Sequence, residues 1–151
     1  MLDLEAIELI KQLKARYFRA IDTCNIEMLQ GMLTEDVTLS FKSPAYEFHV
    51  NGLGDALDFY RTSFTKTRLA THNGHTPEIE VAGDQATALW YLSYVFINLE
   101  DNTHMHGSAI YQDRYIKRGE RWMIAETGYE TLLETIQPLS EQLQITSRPI
   151  N

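Results

Sequence analysis

Two short stretches bring together residue types that can move protons. Arg16-Tyr17-Phe18-Arg19-Ala20-Ile21-Asp22 carries a phenol and a carboxylate, and His72-Asn73-Gly74-His75-Thr76-Pro77-Glu78-Ile79 supplies an imidazole fifty residues beyond Asp22. An imidazole of ordinary pKa, ~6.5, is a competent base at neutral pH. A carboxylate bonded to its second nitrogen fixes the tautomer and stabilises the imidazolium formed on proton removal. A phenol can donate a hydrogen bond to a carbonyl oxygen as enolate charge builds there. Tyr17, Asp22 and His72 are therefore the parts needed to remove a proton beside a carbonyl, provided that one cavity holds all three. Read singly, each has a plainer use: Tyr17 in packing, Asp22 at a helix end or turn, His72 in a surface loop. His75 reads as structural, its imidazole bonded to nearby backbone.

The elements that must position these residues follow from the apolar pattern. Ile7, Ile10, Leu13, Tyr17 and Ile21 recur at steps of three and four, one stripe of an amphipathic helix, and Lys11, Lys14, Arg16 and Arg19 read as its solvated face. Tyr17 and Asp22 are five apart, ~140° around an ideal helix, so both can line one cavity if the helix breaks at Thr23-Cys24-Asn25. Ile26 to Leu33 predicts a second helix with Asn25 as N-cap. A brief strand at Val37 to Phe41 precedes a third helix from Asn51-Gly52 to Phe64. Ile79 and Val81 lead to a Gly83-Asp84 turn and a long strand from Ala86 to Leu99. A strand from His104 to Ile116 and another from Trp122 to Tyr129 complete a meander. Helices followed by a meander predict an α+β domain over 1–151, with three N-terminal helices packed on a curved, mainly antiparallel sheet that closes into a cone. Leu139 to Asn151 reads as a tail whose Leu143 and Ile145 could dock across the mouth.

Composition narrows the partners. The 151 residues suit one domain, 44% are apolar, and the net charge of −8 argues against nucleic acid, which needs clustered Lys and Arg. No stretch reaches the ~20 apolar residues of a membrane span, and the acidic start lacks the pattern of a signal peptide. The lone Cys24 has no intrachain partner and reads as structural, consistent with a reducing, cytoplasmic setting.

The residue runs also resemble a known family. Lys14-Ala15-Arg16-Tyr17-Phe18-Arg19 with Asp22, the His72 to Ile79 run, Trp90-Tyr91-Leu92, Tyr111-Gln112-Asp113-Arg114-Tyr115 and Glu126-Thr127-Gly128-Tyr129 occur in an order similar to the SnoaL-like branch of the NTF2-like superfamily. Within it, the bile-acid 7α-dehydratase and scytalone dehydratase types are the most similar. The resemblance implies the cone fold, cofactor-free acid–base chemistry, and catalytic roles for Tyr17, Asp22 and His72. It departs at Tyr94, where the bile-acid type has an Asp, and at Thr131, where it has an Arg, so the substrate-facing charges differ.

If Tyr94 faces inward, strand parity puts Ala88, Trp90, Leu92 and Phe96 beside it, with Tyr91, Ser93, Val95 and Ile97 outward. Met32, Phe41, Phe59, Tyr60 and Phe64 could close the opposite wall, and His106 with Ser108 could line the neighbouring strand. Such a lining suits a small apolar cyclic ligand, and an apolar outer face suggests a homo-oligomer, dimer or trimer. His72, His75, His104 and His106 could be weighed as metal ligands, but no carboxylate or cysteine accompanies them at a recognisable spacing, so no metal or cofactor is expected. These readings converge on a dehydratase of a hydroxylated cyclic or polycyclic ketone. The alternatives are a ketosteroid-isomerase-like isomerase, a polyketide cyclase, or a non-catalytic domain that binds small molecules.

Overall fold

Asp3 starts the first helix by accepting a hydrogen bond on its side chain from the Ala6 N–H at 3.0 Å. Helix α1 then runs Leu4–Asp22 and stops where the sequence suggested, at Thr23, before Cys24 turns the chain with φ +51°. The Cys24 thiol donates to the Phe64 carbonyl, tying this turn to the end of the third helix. Asn25 caps α2, Ile26–Gln30, by accepting from the Met28 N–H at 3.0 Å. This helix is shorter than its apolar pattern suggested, because Leu33 already belongs to a strand. The structure, a computed structural model, describes residues 1–150; Asn151, the end of the expected tail, lies outside the described residues.

A hairpin of β1, Leu33–Ser43, and β2, Tyr46–Asn51, precedes α3, Leu53–Ser63. Four long strands follow: β3, Arg68–Ala82; β4, Gln85–Asn98; β5, Thr103–Arg118; and β6, Arg121–Pro138. The six form one sheet in the order β2-β1-β6-β5-β4-β3, antiparallel except for the parallel β1–β6 pair. Strands of this length must twist and coil, and bulges in β3–β4 and β5–β6 sharpen the curve. The result is an open mixed sheet wrapped around α1 and α3.

Several strand assignments differ from the sequence reading: β1 is longer at both ends, and β6 continues past Tyr129 to Pro138. β2 was not anticipated, and β3 begins at Arg68, so His72 stands on a strand rather than in the surface loop of its plainer reading, and His75 shares that strand. Gly128 makes the β1–β6 seam possible: a Cβ there would lie 1.8 Å from the Ser40 carbonyl oxygen.

Candidate active site

Asp22, at the last turn of α1, reaches across to β3. Its Oδ2 accepts from the His72 backbone N–H at 3.0 Å and its Oδ1 lies 2.5 Å from His72 Nδ1. A carboxylate can only accept, so Nδ1 carries the hydrogen and Nε2 is left as the basic nitrogen. The pair is largely enclosed, with side-chain exposures of 8% for His72 and 18% for Asp22. Phe18 stacks on the imidazole at 6.0 Å and Phe64 meets it edge-on at 5.6 Å, so the ring is held on two sides. Gly74 makes room for Phe18, because a Cβ there would come within 2.2 Å of its ring.

His72 lines a cavity of about 400 Å³ whose floor carries a trio of phenols. The Tyr17 hydroxyl lies 2.7 Å from that of Tyr60 and 3.5 Å from that of Tyr111. Two contacts consume two hydrogens, so the three hydroxyls retain one to donate to a ligand. Burial pushes Tyr17 up to about 12, offset in part by its phenol neighbours, so it stays a protonated donor at neutral pH.

Beneath the phenols lies a buried ion pair, Lys14 Nζ to Asp113 Oδ2 at 2.8 Å, with side-chain exposures of 1% and 0%. Asp113 also accepts from Tyr115 at 2.6 Å and from Thr127 at 2.7 Å, so its lone pairs are well used. The ammonium sits 3.6 Å from the Tyr111 ring centre and 4.5 Å from that of Tyr17, a favourable cation–π arrangement. Burial pulls Lys14 down to about 8 despite Asp113. The helical pattern had put Lys14 on the solvated face; the structure corrects this, since Lys14 follows Ile10 by four and precedes Tyr17 by three, on the buried stripe.

A profile of the SnoaL-like domain matches residues 2–128. The chain belongs to the SnoaL-like family. Its fold is that of several solved structures. A hexachlorocyclohexane dehydrochlorinase of Novosphingobium barchaimii superposes with TM-score 0.80 at 17% identity, covering 95% of this chain and 97% of that one. A provisional scytalone dehydratase of Novosphingobium aromaticivorans gives 0.78 at 16%, with 97% and 93% covered. A Mycobacterium tuberculosis protein of unknown function gives 0.73 at 26%, with 85% and 72% covered.

In this SnoaL-like domain, the expected site residues separate into two groups. Tyr17, His72, Tyr94, Phe41 and Tyr60 line the cavity, and Asp22 stands directly behind His72. Trp90, His106, Ser108 and Thr131 do not. Trp90 faces inward but is sealed in the core, its Nε1 donating to the Tyr115 hydroxyl at 3.2 Å. The register pairs Tyr94 with Gly107 and Phe96 with Met105, so Gly107 and Met105 face inward, and His106 and Ser108 turn to the outer face. Thr131 stands next to the lining Tyr46 and Tyr94 hydroxyls rather than in the lining itself, and its buried Oγ1 has no hydrogen-bond partner.

The histidines are also sorted by parity. His75, three residues from His72, points to the outer face and stacks on Tyr91 at 5.8 Å. His104 and His106 share that face, with Nε2 atoms 2.8 Å apart. Among the described residues no group of three or more His, Cys, Asp or Glu is placed to hold a metal ion. Likewise, no helix among them is long and apolar enough to cross a membrane. Of the expected tail, neither Leu143 nor Ile145 lines the cavity, whose polar lining includes Arg68, Asn98 and Asp101.

Proposed function

We propose that this chain is a cofactor-independent lyase that removes water from a hydroxylated cyclic or polycyclic ketone. The observation that carries the reading is the Asp22–His72 pair, which occupies Nδ1 and leaves Nε2 free on a residue that lines the same cavity as the phenols. In the proposed reaction, His72 Nε2 takes a proton α or vinylogous to the ketone, and the electron pair moves to the carbonyl oxygen. The phenol trio, with Tyr17 at its centre, stabilises that oxyanion through a hydrogen bond. Collapse of the enolate expels the β-hydroxyl, which leaves as water with the proton carried by His72. Asp22 holds the imidazole in place and stabilises its charged form between the two transfers.

An aromatic cavity of this volume suits a flat, largely apolar ring system. Two structural relatives are named for eliminations, a dehydrochlorination and a dehydration, which supports an eliminase over an isomerase or a cyclase. Every step uses side chains of this chain, so the reading calls for no metal or cofactor. We read 1–151 as one domain, acting in the cytoplasm. Exposed Leu89, Tyr91 and Leu133 on long sheet strands support a homo-oligomer, and sedimentation at the mass of one chain would refute that part.

The test is isotope exchange. Incubated in D2O with β-hydroxy cyclic ketones, the protein should wash out the α-hydrogen of a bound ketone, as read by proton NMR. A ligand that binds but keeps its α-hydrogen would place the chain among non-catalytic binding domains.

A further inference from the structure

One row of registered residues crosses the sheet. His72 on β3 pairs with Tyr94 on β4, Tyr94 with Gly107 on β5, and Gly107 with Glu134 on β6. The Tyr94 ring lies flat over Gly107, where a Cβ would come within 2.2 Å of both its Cζ and its hydroxyl. Its hydroxyl donates to the Glu134 carboxylate, whose other oxygen accepts from Ser43 Oγ at 3.1 Å. The hydroxyls of Tyr46 and Tyr129 pair with each other at 2.5 Å nearby, and the Tyr94 and Tyr129 rings stack at 6.2 Å. Tyr46, Tyr94 and Tyr129 all line the cavity. The row therefore has the imidazole at one end and a carboxylate at the other, three strand spacings apart, or roughly 14 Å at ~4.8 Å per strand.

We propose that the Tyr46, Tyr94 and Tyr129 hydroxyls, backed by Glu134, form a second polar pole of the cavity that binds a hydroxyl group at the end of the ligand away from its ketone. The direction of the hydrogens decides the chemistry. Tyr94 gives its hydrogen to Glu134, so its oxygen presents lone pairs to the cavity beside a negative charge. Such a pole accepts a hydrogen bond from a hydroxyl or phenol and repels a carboxylate. A fused-ring ligand lying over the Tyr94 ring would touch His72 at one end and this pole at the other. The assignment of the two ends rests on the proposed function, but the pole itself can be tested by binding alone.

The probes are 2-tetralone, 6-hydroxy-2-tetralone and 6-carboxy-2-tetralone, titrated calorimetrically without following turnover. The native chain should bind the hydroxylated ketone roughly ten-fold tighter than 2-tetralone, the size of one well-placed hydrogen bond to a charge-backed acceptor, and the carboxylate more weakly than either. Tyr94→Phe and Glu134→Gln should each bring the hydroxyl preference to within about two-fold, whereas His72→Ala should keep it. Gly107→Ala, which pushes the ring off its seat by a different route, should also abolish it, so loss of one variant to misfolding leaves the others to decide. Equal binding of the two ketones, a preference that survives in the folded variants, tight binding of the carboxylate, or no binding of either ketone would overturn the proposal. Preferential binding without hydrogen exchange would refute the lyase and leave the pole standing.

Discussion

Replacing Asp22 by Asn tests how the imidazole is oriented, and the structure sets the size of the effect. Asp22 accepts two hydrogen bonds from His72, from the backbone N–H at 3.0 Å and from Nδ1 at 2.5 Å. An asparagine offers one oxygen and one NH2 group. If its oxygen faces Nδ1, its NH2 opposes the backbone N–H, donor against donor, at a cost of about 1–3 kcal/mol in an enclosed site. If it flips, both contacts are kept, but Nδ1 becomes the acceptor and Nε2 takes the hydrogen. The flipped state is therefore favoured by roughly 5- to 150-fold, and in it the base is already protonated. Loss of the carboxylate also removes attraction to the imidazolium, about 4 kcal/mol for unit charges ~4 Å apart at an effective dielectric of ~20. The product is a fall in kcat of roughly 4 × 10³- to 10⁵-fold, in line with the tautomer argument for a carboxylate-bonded histidine. KM should change little, because Asp22 does not line the cavity. The melting temperature should fall by roughly 2–4 °C for about 1 kcal/mol in a chain of this size. Kinetics would give kcat and KM, and long-range ¹H–¹⁵N NMR would identify which ring nitrogen carries the hydrogen. A D22N variant that keeps more than about a tenth of the native kcat, or keeps the hydrogen on Nδ1, would refute this reasoning.

Other consequences are as direct. Tyr17→Phe removes the hydroxyl at the centre of the phenol trio and should cost roughly 10²- to 10³-fold in kcat but only about 1 kcal/mol of stability in chemical denaturation. Gly74→Ala would drive a methyl into the Phe18 ring, which stacks on His72; overpacking of about 1–3 kcal/mol, with lost activity and a shifted His72 NMR signal, is expected. Alkaline unfolding should be steep, because burial raises Tyr17, Tyr46, Tyr60, Tyr94, Tyr111, Tyr115 and Tyr129 above the ordinary value of 10.0. Their stabilising contribution is fully present below pH 10 and is lost as pH rises above it, since the unfolded phenols then release protons that the folded ones hold. Lys14 works in the opposite sense: lowered to about 8 from 10.5, it adds stability as pH rises between those values. Denaturant midpoints should thus hold or rise from pH 8 to 10 and collapse beyond, in step with tyrosinate absorbance. A gradual decline from neutral pH would contradict this.

The helical half of the fold was legible because period and caps agreed. Tyr17 sits on the stripe and the helix stops at Asp22, so both reach the cavity region despite their five-residue spacing. The β1–β2 hairpin left a weaker trace, the alternation of Tyr46, Phe48 and Val50 with Glu47 and His49, and Ser43-Pro44-Ala45 marked its turn. That period-two signal would have exposed Tyr46 and Phe48 as lining residues. β6 was read as ending at Tyr129 because its continuation leaves Leu132, Leu133 and Ile136 exposed, so no buried face marks it. With that extension went Glu134 and the row that it completes. The misplacement of His106 and Ser108 has a simple cause: the inward positions of β5 near them are Met105 and Gly107, and a glycine gives a pattern nothing to read. Lys14 was hidden by its charge, although helical geometry put it on the buried face, where Asp113 from a distant strand neutralises it. Long-range pairing of that kind has no local signature.

The central claim, that His72 is the base of an elimination, is tested most directly by following ultraviolet absorbance with a panel of β-hydroxy cyclic and polycyclic ketones, His72→Ala beside the native chain. Conjugated-enone absorbance should grow with the native protein and be absent with the variant, at equal ligand binding. Equal rates for the two proteins, or bound ketones that never yield an enone, would contradict it.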